Sequence, residues 1–397
     1  MPRNIIICFD GTSNEFGKTN TNVVRLVQVL DRDQQKQRLY YDPGVGTLPE
    51  PGFVTKVGRK FSDLMGLAFG TGLLRKVGEA YSFLMEVWEP GDNVFVFGFS
   101  RGAYSARVLA ALLHTFGLLP SGNQNLLPYL IRLFKGVRSE RKTAGNGIGP
   151  WLKLSDSFRW TFARQVTVGD QERRFPVHFV GVWDTVSSVG WVWNPDSFPY
   201  TAANPSIGAI RHAVSIDERR FFFRQNLFKK LANQNFKEVW FAGSHCDVGG
   251  GYPETEGLLS TPKYAGAWRC AFEWMVEEAT ECGLFVDPSR LATVLDRKPP
   301  CPAPWTETIH DSLVLKWWIG EFVPKPVWNS TTKTKHLQCG RGRTREIPRG
   351  SNGAMIHKSA LRRLQESSPA YHPTNIDDTF QSRVKSLTTV PDYLVYE

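Results

Sequence analysis

The chain has 397 residues, 41% of them apolar and 13% aromatic, enough to bury a large core, and its charged fraction of 22% is too low and too mixed for a disordered polymer. A formal charge of +10 favours anionic surfaces in general and leaves room for peripheral contact with an anionic membrane. The densest basic stretch, KTKHLQCGRGRTREIPRG over residues 333–350, reads mainly as solvated surface and lacks the interleaved aromatics of a single-strand binder, so no nucleic-acid partner is expected.

Six scattered cysteines with no Cys-x-x-Cys spacing exclude a disulfide scaffold and a zinc knuckle. No window reaches the roughly 18 apolar residues of a membrane span, and the N-terminal apolar run, stopped by Asp10, is too short for a signal peptide. The sequence therefore predicts a soluble protein, cytoplasmic by default, with export by a signal-peptide-independent secretion system left open.

The first predicted element is a strand, NIIICF, ending at Asp10-Gly11-Thr12. Helices follow over residues 20–31, opened by an Asn cap, and 73–88, stopped by Pro90-Gly91. A second strand, NVFVFGF, runs into a helix through Ser100. Residues 120–171 hold no clear strand and carry exposed-looking Trp151, Phe158 and Trp160, which predicts a helical insertion over the sheet. Further strands end at Asp184-Thr185 and at Ser244-His245, and an amphipathic helix spans 261–283. A proline-rich linker then leads to an irregular C-terminal region. Continuous β-branched and aromatic runs suit strands covered on both faces, and their alternation with helices predicts an α/β fold. Ligands in such sheets gather at the carboxyl ends of strands, where all four polar clusters lie.

Gly98-Phe99-Ser100-Arg101-Gly102 fits G-x-S-x-G between a strand and a helix. At that sharp turn the serine backbone is strained and the flanking Gly98 and Gly102 must be small; the turn lifts the hydroxyl off the sheet and leaves the Arg101 N–H at a helix N-terminus, suited to an oxyanion. A serine needs a base, and the base needs an orienting acid. Asp184 and His245 follow in that order, the first at a strand end and the second in a glycine-rich loop. His178 and His114 read as core histidines.

Asp10-Gly11-Thr12 resembles the phosphatase pattern D-x-D-G-T, but Cys8 stands where the nucleophilic carboxylate belongs. The stretch is assigned instead to the oxyanion hole, through the Gly11 and Thr12 N–H groups, with Asp10 supporting the site as Asp247 does, and an Asx-turn closing the first strand is the competing reading. A divalent ion among Asp10, Asp184, His245 and Asp247 is the weaker alternative, because their spacing matches no standard loop. No metal and no cofactor are expected. Trp191, Trp193 and Phe198 are candidate walls for an acyl chain, with ordinary packing the competing reading.

The segments IICFDGTSN, YYDPGVGT, GDNVFVFGFSRGAYSAR, FVGVWDTVSSVG, HAVSIDERR and VWFAGSHCDVGGGY together resemble the catalytic domain of type VI secretion phospholipase effectors. The likeness runs from about residue 3 to 290 and continues weakly through IHDSLVLKWW and IPRGSNGAMIHKSALRRL. It implies an α/β-hydrolase-like fold with a mostly parallel central sheet, a triad of Ser100, Asp184 and His245, and cleavage of lipid or phospholipid esters. The expected organisation is a catalytic domain over 1–290, with the insertion at about 120–171, and a C-terminal extension over 291–397 packed on the core. Two other functions stay open: a non-catalytic scaffold on the same fold, and a thioesterase or amidase using the same three side chains.

Overall fold

The computed structural model describes residues 2–11, 17, 19–44, 69–143, 148–168, 171–186, 190–191, 194–195, 198–253, 255–256, 263–264, 266–296, 303–314, 317–318, 321–322, 324–329, 334–350, 353–367 and 370–397. The two strongest apolar runs become β1 (Asn4–Phe9) and β3 (Asn93–Phe99), parallel neighbours with Ile6 opposite Phe95. β2 (Gln37–Asp42) flanks the other side of β1. Beyond β3 lie β4 (Val177–Trp183), β5 (Ile207–Ser215), β6 (Asn235–Phe241) and β7 (Met355–His357), all parallel, and β8 (Tyr393–Val395) closes the edge antiparallel. The order across the sheet is 2-1-3-4-5-6-7-8. The chain leaves β1 for β2 on one side and returns to β3 on the other, so a crevice opens at the carboxyl ends of β1 and β3. Asp10 and Ser100 stand there.

Helices cover both faces: α1 (Asn22–Val29), α2 (Phe69–Val87), α3 (Arg101–Phe116), α4 (Leu127–Thr143), α5 (Gly149–Phe162), α6 (His245–Gly249), α7 (Trp268–Glu281), α8 (Pro288–Leu295), α9 (Lys358–Glu366) and α10 (Asp378–Lys385). Alternation along the strands divides the core between them. Ile5, Ile7, Phe9, Val94, Val96 and Val182 pack with α2 and α3, whereas Ile6, Cys8, Phe95, Phe97 and Trp183 pack with α1 and α7. This mostly parallel sheet with helices on both faces is the α/β fold that the strand–helix alternation predicts and the α/β-hydrolase-like architecture that the resemblance implies. No helix among the described residues is long and apolar enough to cross a membrane.

The structure departs from the sequence reading in three places. The insertion contains α4 and α5 but also a short hairpin, Val166–Val168 with Gln171–Arg173. Of the three aromatics expected to be exposed, Trp151 and Phe158 are instead buried edge-on against Phe116, and Trp160 does stand out in solvent at 73% exposure. Phe116 ends α3, about 24 Å along the helix from Ser100, so α5 is anchored at the far end of α3. Among its described residues the C-terminal region is not irregular throughout. It supplies β7, β8, α9 and α10, and Ile356, Leu361, Leu364, Phe380 and Val384 form a third cluster with Val214 and Trp240 of the central strands.

Candidate active site

The elbow after β3 is built as its residue types require. Ser100 has φ 59° and ψ −120°, a left-handed conformation that costs an ordinary residue about 1–3 kcal/mol. A Cβ on Gly98 would meet the Gly102 carbonyl oxygen at 2.5 Å, and one on Gly102 would enter the carbonyl oxygens of Phe9 and Asp10. Both glycines are therefore steric necessities of the approach between α3 and the sheet. Ser100 N–H donates to the Trp183 carbonyl at 3.0 Å, which ties the elbow to the end of β4.

At that end Asp184 also has a left-handed backbone, φ 39°, held by its N–H donating to the Ala213 carbonyl at 2.7 Å. Its side chain is fully buried. His245 opens α6 and lies between the two. Ser100 Oγ is 2.8 Å from His245 Nε2, and His245 Nδ1 is 2.5 Å from Asp184 Oδ2. With the proton on Nδ1, the hydroxyl donates to Nε2 and the imidazole donates to the carboxylate. The imidazole is flanked by Phe99, ring centroids 4.6 Å apart, and edge-on by Phe223 at 4.9 Å. Burial pulls the imidazole below its ordinary titration range, although Asp184 opposes this. Burial alone would push Asp184 toward neutrality, but Arg345 and His245 outweigh it and hold the carboxyl far below the usual range.

Asp247 acts on the helix that carries His245. Its Oδ2 accepts from the Ser244 N–H and Oγ, each at 2.9 Å, closing a capping box on α6. It also receives His310 Nδ1 at 2.6 Å. Asp10 is buried and accepts from Thr21 Oγ1 at 2.9 Å, from Tyr41 Oη at 2.8 Å and from the Gly11 N–H at 2.6 Å. The Gly11 N–H, expected to bind an oxyanion, is thus engaged by its neighbour's carboxylate. Thr12 lies outside the described residues. Arg101 occupies the first position of α3.

The expected acyl-chain walls fare differently. Phe198 is a core residue, stacked on Phe134 with centroids 4.8 Å apart and planes 9° from parallel, so it does not line a crevice. Trp191 belongs to a two-residue strand whose side chains are outside the described set, and Trp193 lies outside it altogether.

Three further residues join the site without having been singled out. Ser215, at the end of β5, donates to Asp184 Oδ1 through its N–H at 2.9 Å and its Oγ at 3.0 Å. Glu218 Oε2 accepts the His245 N–H at 3.1 Å and is itself held by Arg220 and Ser312. Burial would raise its carboxyl, but Arg220 outweighs it and the group falls to about 2. Arg345 comes from the basic stretch read as solvated surface. It is buried, with Nη1 2.5 Å from Asp184 Oδ1 and Nη2 2.9 Å from Oδ2. The segment HAVSIDERR contains Ser215 and Glu218, so proximity to a strand end was a signal for those two; Arg345 had none.

The family model described as T6SS, Phospholipase effector Tle1-like, catalytic domain matches residues 3–278. The uncharacterized protein YEL023C of Saccharomyces cerevisiae is 36% identical over 238 residues, which cover 58% of this chain and 33% of that protein. The chain thus spans about a third of the length of this curated relative. Among solved structures, the Tle1 effector bound to the VgrG spike from the Type 6 secretion system is 14% identical, with a TM-score of 0.42 over 72% of this chain and 74% of the other. An uncharacterized protein from Pseudomonas aeruginosa is 18% identical, with a TM-score of 0.39 over 73% and 47% of the two chains. With the family model covering most of its length, and with the elbow and the strand order described above, the chain belongs to the Tle1-like phospholipase effector catalytic-domain family.

Proposed function

We propose that the chain is a serine hydrolase of carboxylic esters in lipids, phospholipids foremost, using Ser100 as nucleophile, His245 as general base and Asp184 as orienting acid. The observation that carries this reading is the unbroken hydrogen-bonded series from Ser100 Oγ through the imidazole to Asp184 at the carboxyl end of the sheet. Family membership supports the choice of lipid esters.

His245 Nε2 takes the hydroxyl proton as Oγ bonds to the ester carbonyl carbon. The carbonyl electrons move onto oxygen, beside the Arg101 N–H at the head of α3, where helix-terminal donors favour negative charge. Collapse breaks the bond to the alcohol oxygen, which leaves with the proton from Nε2, and the acyl group stays on Ser100. Water then gives its proton to Nε2 and its oxygen to the acyl carbon, the bond from that carbon to Ser100 Oγ breaks, Oγ recovers the proton from Nε2, and the fatty acid departs. The buried, ionised Asp184 balances the imidazolium in both halves.

The test is a fluorophosphonate probe together with a panel of defined phospholipids, neutral esters and thioesters. The wild-type chain is expected to be labelled at Ser100 and to release fatty acid from phospholipid. Ser100→Ala is expected to lose label and about 10⁴-fold or more in turnover. Absence of label on folded wild-type protein overturns the nucleophile assignment, and label with thioester turnover alone overturns the substrate assignment.

A further inference from the structure

We propose that Arg345 is a positioning residue of this relay: from the C-terminal region it clamps both oxygens of Asp184, fixing the carboxylate against His245 and keeping a permanent cation beside it. The proposal rests on the triad reading above. Arg345 lies beyond residues 3–278, the span matched by the family model, so the match assigns it nothing.

The geometry is over-determined. Arg345 Nη1 meets Asp184 Oδ1 at 2.5 Å and Ser215 Oγ at 2.7 Å. Nη2 meets Asp184 Oδ2 at 2.9 Å, and Nε and Nη2 both donate to the Phe223 carbonyl, Nε at 3.1 Å. Phe223 is the residue whose ring packs edge-on against His245. One guanidinium therefore fixes the acid directly and the imidazole's aromatic wall through its backbone. Asp184 Oδ1 is saturated by Ser215 and Arg345, and Oδ2 by His245 and Arg345, so the carboxylate cannot rotate away from the base. A planar fork suits this task as a lysine does not.

The charge has a second effect. A carboxylate alone would strengthen the hold of His245 on a proton; a cation at the same carboxylate weakens that hold. The other groups facing the imidazole are Glu218 and Arg220 from the segment after β5, of opposite sign and paired with each other. Cys246 and Asp247 on α6 lie close by, with Tyr252 and His310 packed beside Asp247. Phe99 and Phe223 supply no charge. Replacing Arg345 leaves all of these in place, so the proton affinity of His245 should rise.

The experiment measures the rate of fluorophosphonate labelling of Ser100 from pH 4 to 9 in the full chain, for wild type, Arg345→Met and Arg345→Lys, with near-UV circular dichroism to establish folding. For Arg345→Met the midpoint of the acid limb is expected to move up by about one pH unit, with a plateau at least tenfold lower. Arg345→Lys is expected to return the midpoint to within about 0.3 units of wild type, because the charge is kept, yet to leave the plateau depressed because the fork is lost. A folded Arg345→Met with wild-type midpoint and plateau overturns the proposal. Should that variant not fold, Arg345→Lys decides: a wild-type plateau overturns it and a depressed plateau at an unmoved midpoint supports it. If wild-type Ser100 takes no label, the nucleophile reading itself fails and the proposal falls with it; label on wild type with indifferent Arg345 variants sinks the proposal alone.

Discussion

Of the five non-glycine residues with positive φ among the described ones, two are Ser100 and Asp184. Such strain persists only where surrounding contacts over-determine it, and here two strand ends and an arginine do so. The glycines at 98 and 102 make the elbow legible in a sequence because no other side chain fits. Gly102→Ala is expected to drive a methyl into the Phe9 and Asp10 carbonyls, costing about 1–3 kcal/mol and displacing Ser100; thermal melting and Ser100 labelling both report it. An unchanged melting temperature with full labelling would show that the two backbones can separate freely. Arg345 was illegible for a complementary reason. Nothing in a run of six basic residues tells which one turns inward, and burial of a charge depends on a carboxylate 161 positions away.

At the scale of elements, β1, β3 and β4 announce themselves as largely apolar runs and β6 through its Val239-Trp240-Phe241 end, whereas β5, at the centre of the sheet, does not. Its sequence IGAIRHAVS is interrupted by Arg211 and His212. Both are buried only because partners come from elsewhere: Arg211 Nε meets Glu278 of α7 at 2.5 Å, and His212 Nδ1 meets Glu238 of β6 at 2.8 Å. Single-residue patterning cannot see such pairs. Removing one partner should therefore hurt more than removing both. Glu278→Leu is expected to lose about 3–5 kcal/mol in urea unfolding, and Arg211→Leu combined with Glu278→Leu should recover most of it. Equal losses for the single and double variants would show that the pair contributes little as a pair. β7 and β8 escaped notice because three-residue strands are too short for any period to register.

For the molecule as a whole, acid should be destabilising through buried histidines. Burial, aided by Arg174, takes His114 down to about 4, and burial, aided by Lys358, takes His357 down to about 3, with His245 also lowered by burial. Folded-state values below the ordinary 6.5 mean that the unfolded chain binds these protons first. Their contribution is complete above about pH 6.5 and is lost as pH falls toward the folded values. Each contributes a slope of up to about 1.4 kcal/mol per pH unit in that window. Asp217, raised by burial to about 6, opposes them, and so does Asp42, whose carboxyl burial also raises. The urea midpoint should thus drop from pH 7 to pH 5; a level or rising midpoint would mean that these imidazoles are already charged in the fold.

The last piece of the relay also sets a schedule. A ribosome delivers Ser100, Asp184 and His245 well before Arg345 and β7, so a nascent chain can hold all three while its aspartate still lacks its counter-ion. On the proposed reading, hydrolytic competence waits for Arg345, so a chain cut short before that residue would hold the three proposed groups without the clamp that aligns them.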